Sequence, residues 1–204
     1  MYNFTIPMAL MDFVPVIFFG VTAVILLGDL HNKMGKGVYA LFAAGSFNVF
    51  LAGFCKSLWK LLYAAGICDF KALEEMFMPV NSIGLLCVGL SLTCMVCMQK
   101  KSVTLSVAPV AVTSSLPFIA MMVVGLGGMC ASLCVLAARM KKGKVMLLFV
   151  ASFLCAMGMG AMSGMDTTLA WVNWAEQGIN TVSQGSLMLG TLALHKAGLK
   201  NWNW

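Results

Sequence analysis

Residues Val103–Ala138 read VTLSVAPVAVTSSLPFIAMMVVGLGGMCASLCVLAA, without a single charged side chain. A helix crosses the hydrocarbon core with about 20 residues, so this run is too long for one ordinary span. Pro109 and Pro117 interrupt it, each lacking a backbone donor and crowding the preceding turn. Two readings fit: one kinked helix, or two short helices with a turn near Ser114, Ser115 and Pro117. The choice decides whether the chain crosses a membrane an even or an odd number of times.

Five further apolar runs flank this one: Met8 to Gly28, Val38 to Ala65, Met76 to Met98, Val145 to Met165, and Thr168 to Leu194. Of the 204 residues 61% are hydrophobic and 10% charged, whereas soluble domains carry about 25% charged residues. A chain of this size has no way to hide so much apolar surface from water. The short alternating segments of a membrane barrel are missing. The fold class is therefore all-α and polytopic, a single membrane domain over residues 1–204. Met1 to Met11 contains no Lys or Arg and no small-residue cleavage site follows the first run, which reads as a retained helix.

Charge placement arbitrates the parity, because Lys and Arg in short loops collect on the cytoplasmic side. With two helices in the long run, Lys33, Lys36, Lys100, Lys101, Arg139, Lys141, Lys142, Lys144, Lys196 and Lys200 all share one face. Asp69, Lys71, Glu74, Glu75 and Asp166 take the other, with Asp12 and Glu176 in the outer parts of their helices. Six helices would split the basic residues between both sides. The expectation is seven transmembrane helices in the cell membrane, N-terminus outside and C-terminus cytoplasmic. Six helices with an inverted repeat is the alternative. The net charge of +6 then reports orientation and implies no nucleic-acid partner. The partners expected are the lipid bilayer, a small polar ligand, and a further copy of the chain or another membrane protein.

An internal similarity favours the odd count. Lys33-Met34-Gly35-Lys36-Gly37 resembles Arg139-Met140-Lys141-Lys142-Gly143, and the same register pairs Leu41 with Leu147, Ser46 with Ser152, and Phe47 with Phe153. Ser82 to Gly89 and Ser183 to Gly190 both have the form Ser-x-Gly-x-Leu-x-x-Gly. A duplication would make two parallel three-helix halves, 8–98 and 119–194, joined by a linker helix over 103–118.

The last run holds the most informative polar pattern. Asn173, Gln177, Asn180 and Gln184 recur at helical spacing and place four amides on one face, flanked by Glu176 and Ser183. Amides facing lipid would leave donors and acceptors unpaired at a few kcal/mol each, so this face looks into the bundle or a wet cavity. It serves either as interhelical glue, at about 1 kcal/mol per contact, or as a solute path. Trp171 and Trp174 sit near the outer end as an interfacial belt or as a stacking wall. In the second run Asn48, Cys55, Trp59 and Tyr63 lie broadly on one side. Lys56 and Lys60 either snorkel to the headgroups or pair with Glu74 or Glu75 as an outer gate.

Other chemistries find less support. Cys94 with Cys97 and Cys130 with Cys134 have thiolate-ligand spacing, yet no knuckle context accompanies them, and buried thiols are the plainer reading. Met157, Met159, Met162 and Met165 spread around their helix and read as packing. His31 and His195 are the only histidines, no nucleophile with an adjacent base is identifiable, and neither an enzyme, a metal site nor a cofactor is expected.

Leu58-Trp59-Lys60-Leu61-Leu62-Tyr63, an acidic turn, and Pro79-Val80-Asn81-Ser82-Ile83-Gly84 resemble the SWEET and PQ-loop family of sugar and amino-acid carriers. The resemblance covers about thirty residues. It implies a three-plus-one-plus-three helix plan, Asn81 as a substrate-facing residue with Asn180 as its counterpart, and Pro15 as the hinge of the first helix. No Pro-Gln pair stands at the expected positions, and the second half lacks a Trp-x-x-Tyr-Gly sequence. The function expected from these readings together is transport of a small polar solute, sugar-like or amino-acid-like. The substrate-binding residues would be Asn81, Asn173, Gln177, Asn180, Gln184, Trp59, Trp174 and Glu176, and the gate Lys56, Lys60, Glu74 and Glu75. The alternative is a seven-helix sensor or accessory subunit acting through a partner protein.

Overall fold

Pro15 has no N–H to offer the carbonyl of Met11 and its ring crowds that carbonyl, which breaks a helix one turn earlier. The first apolar run divides at Asp12 into α1 (Ile6–Met11) and α2 (Phe13–Leu30). The Asp12 carbonyl at the break accepts the Ser57 hydroxyl at 3.1 Å. Across the whole chain, a computed structural model describes residues 5–98, 115–162 and 170–202. After α2 come α3 (Lys36–Ala64), the single turn α4 (Ala72–Glu75), α5 (Phe77–Met98), α6 (Leu116–Arg139), α7 (Gly143–Met162) and α8 (Ala170–Lys196). A 3₁₀ turn, Leu199–Asn201, follows. Pro117 falls in the first turn of α6, where a missing donor costs nothing.

The six long helices form a closed ring in the order α2, α3, α5, α6, α7, α8. Contacts fix their directions. Gly20 meets Phe50 and Gly53 meets Val16, so α3 returns antiparallel to α2. Gly45 faces Cys87 and Val88 while Gly84 faces Val49, which makes α5 antiparallel to α3. Phe153 lies on Gly127, the Cys134 thiol reaches the Met146 carbonyl, and Phe149 lies on Gly190; α7 is antiparallel to both α6 and α8. The remaining two pairs are parallel. Leu85 meets Gly125, Thr93 meets Ser132 at 3.3 Å, and Arg139 donates to the Val96 carbonyl, so α5 and α6 run together. Phe18 meets Gly185 and Asp29 meets His195, so α2 and α8 do also.

The parallel α5–α6 pair rests on missing side chains. A Cβ on Gly89 would stand 2.2 Å from the Gly125 carbonyl oxygen, and one on Gly125 would stand 2.4 Å from the Leu85 carbonyl carbon. Small residues of this kind let backbones approach where lipid supplies no hydrophobic drive between helices.

These directions gather the helix ends into two sets. Leu30, Lys36, Met98, Arg139, Gly143 and Lys196 close one end, and Lys33, Lys141, Lys142, Lys144 and Lys200 lie with them: this is the basic end. Ile6, Ala64, Ala72, Leu116, Met162 and Ala170 close the acidic end, with Asp69, Glu74 and Glu75. Met98 and Leu116 are therefore at opposite ends of the bundle. The expected linker helix over 103–118 falls mostly on residues 99–114, which with Lys100, Lys101 and Asp166 lie outside the described residues.

Among the described residues, five helices are long and apolar enough to cross a membrane: Ile6–Leu30, Lys36–Ala64, Ala72–Cys97, Leu116–Arg139 and Gly143–Met162. α8 has 27 residues, and its amides lower its hydropathy. Val24, Phe47, Val124, Leu147, Leu154 and Leu189 are exposed on the perimeter, as expected of a surface that meets hydrocarbon. Inside the ring, the half toward the basic end is packed with apolar side chains. Leu26 and Leu30, Phe42, Leu92, Met129 with Leu133 and Leu136, Phe149, Leu187 and Leu194 are all essentially inaccessible there.

Candidate functional site

The other half of the interior, toward the acidic end, holds buried polar groups, Lys60, Asn81, Asn173 and Gln177, among apolar Met8, Trp59 and Val172. Asn173, Gln177, Asn180 and Gln184 of α8 lie within about 60° of arc, on the side of the helix opposite exposed Trp171, Gly178 and Val182. Asn173 and Gln177 are buried and Asn180 and Gln184 half-buried. The stripe continues down the helix through Thr191 to His195, about 33 Å of axis from Asn173.

Satisfaction along this stripe is uneven. Asn173 makes polar contacts. Gln177, 4% exposed, has no hydrogen-bond partner among the described residues for either its Nε2 or its Oε1. Thr181 Oγ1, Gln184 Oε1 and Thr191 Oγ1 are likewise buried and unpartnered among the described residues. Buried polar groups are nearly always paired, and each orphan costs about 1–3 kcal/mol. Ser183, on the α7 side, behaves as ordinary glue: it donates to the Ser152 carbonyl at 2.8 Å. One helix thus carries a satisfied flank and an incompletely satisfied face.

α3 and α5 bring further polar groups to this half. Asn81 is buried, and Trp59 is 1% exposed with its indole N–H donating to Asp69 at 3.0 Å. The Tyr63 ring lies 6.0 Å from that of Trp59. Lys60 pairs with Asp12 at 2.6 Å, the carboxylate at the α1–α2 break. Lys56 sets its ammonium 4.2 Å from the Phe77 ring centroid, a cation–π contact, within electrostatic reach of Lys60, Asp12, Glu176 and Glu74. Glu75 is exposed and Glu74 and Glu176 half-buried. Trp174 points outward, 44% exposed beside the more exposed Trp171.

The basic end is tied by its own polar contacts. His195 Nδ1 approaches both oxygens of Asp29, at 3.0 and 2.9 Å. Lys33 donates to the Trp202 carbonyl, and burial there pushes its ammonium below the ordinary lysine value, with Asp29 opposing. Sequence reasoning singled out neither this pair, nor Asp12 as a partner for lysine, nor Thr181 and Thr191. The threonines were accessible to it, because Thr181 stands one turn after Gln177 and Thr191 two turns after Gln184.

No protein family, curated protein or solved structure matches the chain. Fold and interior together define a class: an all-α, membrane-embedded protein whose apolar helices enclose one polar, incompletely satisfied helix face.

Proposed function

We propose that this protein is a membrane transporter for a small polar solute, which binds against the inward face of α8 in the half of the bundle nearer the acidic end. The observation that carries the reading is Gln177: a buried amide with both ends unpartnered, aligned with Thr181 and Gln184. Four aligned amides exceed what packing needs, and an unfilled set of donors and acceptors suits a ligand that brings its own. Asn81 of α5 and Trp59 of α3 are buried in the same half of the bundle, as is the Lys60–Asp12 pair. The apolar packing below closes the path toward the basic end.

In this reading the chain crosses seven times, an odd count that the parallel run of α5 and α6 supports. The basic end faces the cytoplasm and the N-terminus faces outside. Each half, α2–α3–α5 and α6–α7–α8, runs in the same sequence of directions, and both junctions between halves are parallel pairs. A parallel duplication produces that arrangement.

A thermal-shift screen of purified protein against small polar solutes tests the proposal. A solute at about 100 times its Kd stabilises the folded state by roughly 2.7 kcal/mol. The expected result is a saturable rise in melting temperature that Gln184→Leu abolishes. A rise that survives both Gln184→Leu and Gln177→Leu places the solute elsewhere and contradicts the proposal.

A further inference from the structure

Asp29 is the one described carboxylate at the basic end, where every other charged side chain is a lysine or arginine. Its side chain is 2% exposed, whereas that of His195 is 49% exposed. The imidazole therefore meets the solvent at that end while the carboxylate stays inside. The contact joins α2 to α8, one of the two junctions at which the halves meet. One turn above His195 on the same face, Thr191 Oγ1 is buried without a partner among the described residues.

The surrounding groups are cationic or aromatic. On the α2 side, His31 stands edge-on to Tyr39 of α3 at 4.8 Å, and Lys33 is held by the Trp202 carbonyl. Lys36 opens α3, Lys144 lies in the first turn of α7, Lys196 ends α8 and Lys200 lies in the 3₁₀ turn. Beneath Leu194, Leu199 of that turn is fully buried. The Asp29–His195 contact is thus the polar fastening above an apolar seal.

We propose that Asp29 and His195 form a proton-operated latch that holds the basic end of the bundle shut. The inference rests on the transport reading only in treating that end as a gate. An imidazole ordinarily changes charge between about pH 5 and 8. When it is protonated, the contact is a charge-assisted hydrogen bond, roughly twice as strong as a neutral one. Losing the proton weakens the fastening while leaving the carboxylate buried. The sign follows: the latch is tightest on the acid side of the imidazole transition and loosens as pH rises through it.

Spin labels at Asn32→Cys and Lys196→Cys, in protein whose native cysteines are replaced, report the α2–α8 separation at that end by pulsed electron resonance in nanodiscs. The expected result is a short distance at about pH 5.5 and a growing longer component at about pH 8.5. The short-to-long ratio should fall about tenfold, a typical coupling between two linked sites. His195→Gln, at a half-exposed position, should fold normally and show a ratio that no longer depends on pH; Asp29→Asn should do the same wherever it folds. A parent ratio that is flat with pH overturns the latch, as does a full pH response retained in His195→Gln. Gln184→Leu separates the two readings. If it keeps the pH response but its parent binds no solute, the chamber fails alone. If parent protein binds solute with a flat pH response, the latch fails alone.

Discussion

Replacing Gln177 with leucine distinguishes a binding group from packing by the sign of the effect. The side chain is 4% exposed and both ends of its amide lack partners among the described residues. A buried polar group in that condition costs about 1–3 kcal/mol, a penalty that an apolar replacement of similar size removes. For a chain of this length about 1 kcal/mol moves the melting temperature by roughly 2–4 °C. Gln177→Leu should therefore melt at or above the parent, by up to roughly 10 °C, and should lose the stabilisation that a solute confers. Asn173→Leu, at a position that does make polar contacts, should instead lose about 1 kcal/mol. Thermal melts with and without solute read both quantities. A Gln177→Leu protein that melts earlier by more than about 1 kcal/mol yet keeps its solute response would show the amide to be interhelical glue and refute the reasoning.

Gly125→Ala drives a methyl group to within 2.4 Å of the Leu85 backbone and should cost about 3 kcal/mol. Gly158→Ala, with nothing within 4 Å, should gain roughly 0.5–1 kcal/mol in denaturant titrations. Asp12→Asn takes the charge from the partner of buried Lys60 and should cost about 3 kcal/mol, with Asp12→Asn/Lys60→Met recovering most of it in a double-mutant cycle. Neutralising Lys141, Lys142 and Lys144 together should give mixed orientation by labelling at positions 2 and 204, because the charge bias acts through such short loops. In the parent those two positions should label from opposite sides of the membrane.

Much of the fold was legible because hydropathy and helix length are local properties. The six helical runs, the start of α6 around Pro117 and the amide face of α8 all follow from spacing in the sequence. Pairings between helices were not legible, since they depend on how each helix is rotated about its axis. Lys60 was weighed against Glu74 and Glu75, which follow it closely in sequence, yet Asp12 holds it from 48 positions upstream. Asp29 and His195 meet across 166 positions, and no periodicity announces such a contact. The closest helix approach was equally illegible: Gly89 and Gly125 set it, and nothing in their spacing marks them out from the other glycines. Trp174 lies one turn before Gly178 on the outward side of α8, a placement that the alternation of exposed and buried positions along the helix decides.

Cysteine accessibility along α8 tests the central claim most directly. In protein without its native cysteines, single cysteines at Gln177, Thr181, Gln184, Leu187 and Leu194 are exposed to a membrane-impermeant maleimide from each side of sealed vesicles. A polar chamber above an apolar plug predicts labelling at 177, 181 and 184 from the side of the N-terminus alone, slowed by a bound solute, with 187 and 194 unreactive from that side. Equal protection of all five positions from both sides, with or without solute, would mean that the amide face is sealed packing and would contradict the account.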